Sequence, residues 1–224
     1  MKAPKVAVAY QEKWPEIKRK LTNMHIDTAA FRIFIRGFKS EKKLELWVSS
    51  KTSPVYQLYN VYPICASSGE PGPKRREGDG QVPEGFYSIS VFNPYSNYYV
   101  SLGINYPNQS DRILGNKNAL GGAIMIHGNC VTIGCIPLTD DKIKEVYVLA
   151  VEAKNSGQLE IPVHLFPEAL SNWHGVEKEM IQKYGEGDSR IMFWKNLSEG
   201  YDYFENSHKI PEVRVSVDGK YTFR

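Results

Sequence analysis

The sequence predicts an α+β fold with a mostly β core and a helical C-terminal extension. Segments in which apolar and polar residues alternate, separated by turn residues, account for much of the chain up to Phe166. Beyond Pro167 the aromatic and aliphatic residues recur at helical spacing instead. A run of strands followed by a run of helices is typical of α+β proteins. The 224 residues are enough for one sizeable domain with its own core.

This division predicts three regions along the chain. Residues 1–30 form an N-terminal helical segment, in which Pro15 precedes apolar residues at helical spacing and predicts a helix over 15–26. Residues 31–167 form the main domain, and residues 168–224 form a helical extension with a closing hairpin that packs on the core. We expect this extension to shield part of the core and to border a substrate groove.

The individual elements follow from local patterns. Alternation predicts strands over 31–38, 44–48, 56–65, 86–92, 98–106 and 161–166, and a short apolar run predicts a buried strand over 123–126. Helical spacing predicts helices over 138–153, 169–184 and 190–206, before a hairpin that turns at Asp218 and Gly219. Residues 66–84 are rich in glycine, proline and charge, which predicts a long surface loop. Loops of this length are usually functional or mobile.

Composition excludes several classes of protein. The net charge is +3, and no lysine- or arginine-rich block is interleaved with aromatic residues, which argues against nucleic-acid binding. No run of 18 apolar residues is present, so the sequence predicts no transmembrane segment. The N-terminus lacks the apolar region of a signal peptide. We therefore expect either a cytoplasmic protein or the mature form of an exported protein whose leader has been removed.

The strongest candidate for chemistry lies where the predicted strand 123–126 ends. His127 and Gly128 follow this strand, and Cys135 lies eight positions after His127, behind Gly134. A thiol and an imidazole at one strand end have the parts of a nucleophile and its base. The histidine can accept the thiol proton, or it can hold the thiolate as an ion pair and lower the thiol pKa from about 8.5. Gly134 leaves room for backbone N–H groups to face a developing oxyanion.

The three cysteines leave at least one thiol free, since the number is odd. Cys130 can pair with Cys65 or with Cys135, and a bond to Cys135 would block the nucleophile. We predict that Cys135 is a free thiol, and that Cys65, at the end of an apolar strand, is a core residue. His127, Cys130 and Cys135 are of metal-ligand type, but no second pair of ligands accompanies them. We expect neither a metal nor a cofactor.

Three ordered motifs resemble the L,D-transpeptidase catalytic domain, the YkuD family, and its YafK-like branch in particular. Residues 127–135 resemble the family's His-Gly and Ser/Thr-x-Gly-Cys signature. Residues 77–87 are similar to its Gly-Asp-x-x-Thr-Pro-Glu-Gly-x-Tyr segment, with Val82 where threonine is usual. Residues 101–112 are similar to the YafK-like branch. The resemblance covers about 31–166 and implies a β-sandwich or barrel-like core.

The resemblance also implies a mechanism. Family members act on peptidoglycan, where their cysteine attacks the amide carbonyl of a diaminopimelate residue in a stem peptide and forms a thioester. Carried over by position, Cys135 is the nucleophile, His127 is its base, and the carbonyl of Gly128 orients the imidazole. The N–H groups of Gly134 and Cys135 form the oxyanion hole. Thr132 lines the site.

Two departures from the family pattern concern the substrate. The spacing from histidine to cysteine is shorter than usual, which leaves the acceptor side more open. Pro137 stands where many members have an arginine, so another cation must hold a stem carboxylate: either Arg112 or the loop 74–76. Together with Thr132, we expect Arg112, Asn129 and Tyr106 to contact the substrate.

Three hypotheses about function remain open at this point. The first is a periplasmic or cell-envelope transpeptidase that acts in cell-wall biogenesis and cell shape. The second uses the same site with water and releases a protein or peptide, such as a wall-linked lipoprotein, from diaminopimelate. The third is an inactive module that only binds the cell wall.

Overall fold

The computed structural model describes residues 3–224, so the first two residues of the predicted segment 1–30 lie outside it. The helices in this range are α1 (Pro4–Asn23), α2 (Gln109–Leu114), α3 (Asp140–Asn155), α4 (Trp173–Tyr184) and α5 (Ser189–Ser207). The strands are β1 (Phe31–Phe38), β2 (Lys43–Ser50), β3 (Gln57–Pro63), β4 (Gly85–Asn93), β5 (Ser101–Ile104), β6 (Met125–His127), β7 (Ile136–Pro137), β8 (Pro162–Phe166), β9 (Val213–Val215) and β10 (Tyr221–Phe223).

Eight of these strands form one mixed sheet in the order β3-β2-β1-β8-β4-β5-β6-β7, and β9 pairs with β10 as a separate hairpin. Strand β4 belongs to both halves of the sheet: residues 85–88 pair with β8, and residues 89–93 pair with β5. An irregularity in register between Ile89 and Val91 marks the change of partner. Such an irregularity bends a strand, so the sheet can curl around a core.

The two outer ends of the sheet approach each other. The N–H of Cys65, just after β3, donates to the carbonyl of Pro137 in β7 at 3.1 Å. A disulfide between Cys65 and Cys130, with the two Cα atoms 5.3 Å apart, ties the same two regions together. The predicted α+β class with a barrel-like β core is therefore confirmed, and the closure of the sheet lies directly beside residues 128–135.

Two apolar clusters flank the sheet. The main core contains the buried faces of α1 and α3, for example Ile17, Leu21 and Val146, packed with strand residues such as Ile126 and Ile136. The second cluster contains α4, α5 and the closing hairpin, packed on aromatic residues of the sheet: Phe38, Phe86 and Phe166. Residues 168–224 thus cover one region of the sheet. The domain boundaries at 31 and 168 remain a prediction.

The structure differs from the sequence prediction at several elements. Helix α1 begins at Pro4, so Pro15 lies inside the helix and not in its first turn. A proline inside a helix removes one backbone hydrogen bond, but burial of Val6, Ala9 and Ile17 in the main core holds both halves of α1 in place. Helix α2 was not predicted. Its N-terminus is formed by a capping box between Asn108 and Asp111.

None of the helices between residues 3 and 224 is both long and apolar enough to cross a membrane.

Candidate active site

Strand register brings the two candidate catalytic side chains to one face. Ile126 in β6 pairs in parallel with Ile136 in β7, and both side chains are buried in the main core. Because side chains alternate along a strand, His127 lies on the opposite face of β6. In the same register His127 pairs with Pro137, and Cys135 lies two positions before Pro137, so alternation places Cys135 on the same face as His127. The nucleophile and base predicted from the motif thus lie on the same side of one strand pair.

His127 is held in one tautomer. Its Nδ1 lies 2.5 Å from the carbonyl oxygen of Gly128. A carbonyl only accepts hydrogen bonds, so Nδ1 carries the hydrogen and Nε2 keeps a free lone pair. The ring of Tyr98 lies 4.7 Å from that of His127, whose residue surface is only 2% exposed. Burial lowers the pKa of His127, and the bond to Gly128 opposes this only in part. The imidazole is therefore a neutral base.

Cys135 is a half-buried free thiol, as predicted. Its Sγ lies 3.8 Å from the carbonyl oxygen of Ala123. Burial raises the pKa of the Cys135 thiol, while the backbone N–H of Met125 and the charge of Lys74 lower it by less. A raised thiol pKa favours the first of the two possibilities given by the sequence, in which His127 accepts the thiol proton during the reaction. Within residues 3–224 the structure has no hydrogen bond between Cys135 and His127.

The backbone around the thiol is fixed by Thr132. Its Oγ1 accepts from the N–H of Cys135 at 2.8 Å and donates to the carbonyl oxygen of Cys135 at 2.8 Å. Gly134 has φ of +95°, and a Cβ at this position would lie 3.0 Å from the carbonyl oxygen of Gln81. A side chain at this position would be strained in conformation and crowded by the carbonyl of Gln81. These contacts hold Cys135 at the edge of the loop 66–84.

The two backbone groups predicted to form the oxyanion hole both have acceptors in this structure. The N–H of Gly134 donates to Oγ of Ser68 at 2.7 Å. The N–H of Cys135 donates to Thr132. A substrate oxygen that used either N–H group directly would have to displace the hydroxyl now bonded to it.

The predicted substrate contacts divide into two groups. Thr132 and Asn129 lie in the loop between His127 and Cys135, where the N–H of Asn129 donates to Oδ1 of Asp140 at 2.8 Å. Tyr106 is 6% exposed, belongs to the main core and donates to the carbonyl of Leu120 at 3.0 Å. Arg112 is an exposed residue of α2. In the described part of the chain, neither Tyr106 nor Arg112 is hydrogen-bonded to residues 127–135.

Cys130 is bonded to Cys65 and not to Cys135, which decides between the two pairings left open by the sequence. The interpretation of Cys65 as a core residue is wrong, because its sulfur is in the disulfide and the residue is only half-buried. The disulfide joins the end of β3 to the loop that carries Cys135. It therefore belongs to the frame of the candidate site.

A cavity of about 90 Å³ opens beside the thiol, and Cys135, Ser68 and Lys39 are among its lining residues. A larger cavity of about 500 Å³ lies between the loop 66–84, α5 and the closing hairpin. Glu70 and Pro71 line both cavities. One short piece of the loop 66–84 therefore separates the thiol cavity from the cavity that the C-terminal extension lines.

The loop 66–84 is anchored by a buried carboxylate. Glu84 is completely buried and pairs with Nζ of Lys39 at 3.0 Å. It also accepts from the N–H of Gly72 at 2.8 Å and from Nε1 of Trp194 in α5 at 2.7 Å. This carboxylate connects the sheet, the loop and the C-terminal extension at one point.

Three residues beside the predicted pair did not emerge as site residues from the sequence: Ser68, Tyr98 and Asp140. Asp140 carries a weak signal, because it is an acidic residue in the first turn of a predicted helix close to the motif. Ser68 and Tyr98 carry none, since Ser68 reaches the site through the closure of the sheet and Tyr98 through the pairing of β5 with β6.

Comparisons with known proteins identify the family of this chain. The family model described as the L,D-transpeptidase catalytic domain (YkuD) matches residues 32–163. YafK of Escherichia coli (strain K12), provisionally named an L,D-transpeptidase, is 38% identical over 191 residues, which are 84% of this chain and 72% of YafK. Among solved structures, the helical cell shape determining protein Pgp2 of Campylobacter jejuni is 18% identical with a TM-score of 0.48, covering 88% of this chain and 78% of Pgp2. Bd1075 of Bdellovibrio bacteriovorus is 20% identical with a TM-score of 0.43, covering 85% of this chain and 76% of Bd1075. From the family match and the identity to YafK, the chain belongs to the L,D-transpeptidase catalytic domain family.

Proposed function

We propose that this protein is a cysteine-dependent peptidoglycan L,D-transpeptidase that acts on diaminopimelate-containing stem peptides. The observation that carries the proposal is the pair on the β6–β7 strand face. Cys135 is a free thiol beside a small cavity, and His127 is a neutral imidazole whose Nε2 has no hydrogen. A neutral thiol and a neutral base suit general-base attack on an amide.

The reaction follows from these protonation states. Nε2 of His127 accepts the thiol proton as Sγ of Cys135 bonds to the amide carbonyl carbon. The C–N bond then breaks, and the amine leaves with the proton from the imidazolium. The product is a thioester between Cys135 and the stem. The amine of a second stem attacks the thioester, and the thiol is restored with a crosslink formed.

The proposed location is the periplasm or the cell envelope, where peptidoglycan lies. The Cys65–Cys130 disulfide supports this location, because disulfides persist in oxidising compartments such as the periplasm. The polymer itself is the proposed partner.

A second candidate function ends with water instead of an amine. The loop between His127 and Cys135 is short, and its apolar side chains point into solvent: Val131 is 50% exposed and Ile133 is 86% exposed. The loop therefore leaves the thioester open to water on this side. The enzyme would then release a protein or peptide, for example a wall-linked lipoprotein, from diaminopimelate.

Mass spectrometry of muropeptides separates these functions. The protein and its Cys135→Ala variant are incubated with tetrapeptide stems, a D-amino acid and a protein-linked stem. We expect diaminopimelate–diaminopimelate dimers or exchanged D-amino acids with the native protein and none with the variant. Release of the linked protein without dimers would favour the hydrolase. If neither sample changed the substrates, the proposal would fail and an inactive wall-binding module would be favoured.

A further inference from the structure

The hydroxyl of Ser68 lies at the place where an oxyanion is expected. Its Oγ accepts from the N–H of Gly134, the residue before the nucleophile, at 2.7 Å. Ser68 and Cys135 line the same cavity of about 90 Å³. An oxygen atom of the protein therefore lies where the backbone N–H would otherwise meet the substrate oxygen.

The hydrogen-bond donors around the thiol can be followed one by one. The N–H of Gly134 is directed to Ser68, and the N–H of Cys135 is directed to Thr132. The hydroxyl hydrogen of Thr132 is used on the carbonyl oxygen of Cys135. The hydroxyl of Ser68 acts only as an acceptor among residues 3–224, so its hydrogen is available. Of the two hydroxyls that accept from the N–H groups of Gly134 and Cys135, the one of Ser68 keeps a hydrogen that no partner among residues 3–224 accepts.

The position of Ser68 is fixed on both sides along the chain. Three residues before it, Cys65 is bonded to Cys130 and donates its N–H to Pro137. Two residues after it, the N–H of Glu70 donates to the side chain of Gln81 at 3.1 Å. A donor held in this way needs little reorganisation when negative charge appears near it.

We propose that Ser68 is a catalytic residue whose hydroxyl donates a hydrogen bond to the oxyanion formed when Cys135 attacks a carbonyl. By accepting from the N–H of Gly134, the hydroxyl becomes a stronger donor, because linked hydrogen bonds polarise one another. The N–H of Gly134 thus acts through Ser68 on the oxyanion. This assignment deepens the proposed function and rests on Cys135 being the nucleophile.

Two reactions of Cys135 test the assignment. Acylation by p-nitrophenyl acetate passes through an oxyanion, whereas alkylation by iodoacetamide does not. In Ser68→Ala we expect acylation of Cys135 to slow by about 100- to 1,000-fold, as for loss of one oxyanion donor, while alkylation stays nearly unchanged. Ser68→Thr, which keeps the hydroxyl, should recover much of the acylation rate. Ser67→Ala serves as the matched control, because Ser67 lines the same cavity but its hydroxyl is not hydrogen-bonded to Gly134 in the described chain.

The other outcomes overturn the assignment. Unchanged acylation in Ser68→Ala would show that the hydroxyl is not needed, and faster acylation would show that Ser68 only blocks the N–H of Gly134. Equal losses in acylation and alkylation would assign Ser68 a structural role. Because p-nitrophenyl acetate is not a stem peptide, this result is separate from that of the muropeptide experiment: a protein inactive on stems can still confirm or refute the role of Ser68.

Discussion

At the scale of single residues, the ring of Tyr98 packs against His127, the proposed base. The two ring centroids are 4.7 Å apart, and burial is the largest cause of the lowered pKa of His127, so we expect the Tyr98 ring to contribute to that lowering. A base with a lowered pKa stays unprotonated, and therefore active, at more acidic pH than a free imidazole with a pKa of about 6.5. The acidic limb of the activity profile should accordingly lie below pH 6.5.

The variant Tyr98→Ala tests this effect. Removal of the ring exposes His127, so its pKa should rise toward about 6.5, and the acidic limb of kcat/KM should move to higher pH. The pH dependence of Cys135 acylation measures the shift. Tyr95→Ala is the matched control, because Tyr95 is 75% exposed and lies nearby in the sequence. An unmoved limb in Tyr98→Ala would contradict the role of the ring.

His164 affects the stability of the fold and not the proposed reaction. It is buried between Phe34 and Phe86, with ring centroids at 4.5 and 4.6 Å, and its Nδ1 has no hydrogen-bond partner in the described chain. Burial, followed by the charge of Arg36, holds the pKa of His164 well below its usual value. The unfolded chain therefore binds a proton that the folded chain does not, once the pH falls below about 6.5.

The buried His164 makes the fold less stable at acidic pH. His164 contributes no pH dependence above about pH 7, and its contribution lowers the free energy of unfolding by up to about 1.4 kcal/mol per pH unit below about pH 6.5. Asp111 has the opposite effect, since burial raises its pKa to about 6. Urea unfolding of the native protein and of His164→Phe at pH 7.5 and 5.5 isolates the histidine. Equal losses of stability in both proteins would contradict this account.

At the scale of elements, the sequence predicts local hairpins and helices better than it predicts contacts between strands that are distant in the chain. The β1–β2 hairpin follows from alternation on either side of a polar turn, and all eight residues of β1 pair with β2. The predicted start of α1 was wrong. Pro15 has the local signal of a first turn, whereas the part of the helix before Pro15 is held by burial in the core, which local sequence does not show. The closure between β3 and β7 has no local signal, since it joins residues 65 positions apart.

The disulfide at this closure should stabilise the fold. A crosslink over a separation of 65 residues restricts the unfolded chain, which corresponds to about 4 kcal/mol in the chain-entropy description. We expect Cys65→Ser with Cys130→Ser to lose a large part of this free energy of unfolding in urea, while Cys135→Ser loses much less. A reductant should destabilise the native protein and leave the double variant unchanged. A double variant as stable as the native protein would refute this role.

At the scale of the whole molecule, Glu84 links the C-terminal extension to the candidate site. Its carboxylate bonds with Lys39 after β1, with the loop 66–84 and with Trp194 in α5. Lys39 also lines the thiol cavity. The extension therefore supports the wall of the site, although none of its residues lines the thiol cavity.

Trp194→Phe tests this connection. The substitution keeps an aromatic ring but removes the hydrogen bond to a fully buried carboxylate, which should lower the free energy of unfolding by about 2 kcal/mol. Trp173→Phe is the matched control, because the buried Nε1 of Trp173 has no partner in the described chain. Thermal or urea unfolding provides the measurement. An equal effect of both substitutions would show that the bond to Glu84 contributes nothing specific.

The candidate site shows why only part of it was predictable. His127, Thr132, Gly134 and Cys135 lie within one short motif, so a pattern in the sequence finds them together. Ser68 and Tyr98 come from other segments: Ser68 reaches the motif only after the sheet has closed, and Tyr98 reaches it through the pairing of β5 with β6. Tyr106 and Arg112 lie in a recognisable segment too, but the sequence does not say that the first is packed in the core and the second faces solvent.

The most direct test of the account is the intact mass of the protein during turnover. The central claim is that Cys135 forms a thioester with the stem peptide after His127 accepts its proton. Incubation with a tetrapeptide stem, followed by an acid quench, should give a mass increase equal to the acyl part of the stem. Peptide mapping should place the adduct on Cys135, and neither Cys135→Ala nor His127→Ala should accumulate it at the native rate. Turnover of the stem without an adduct on Cys135, or an undiminished adduct in Cys135→Ala, would contradict the claim.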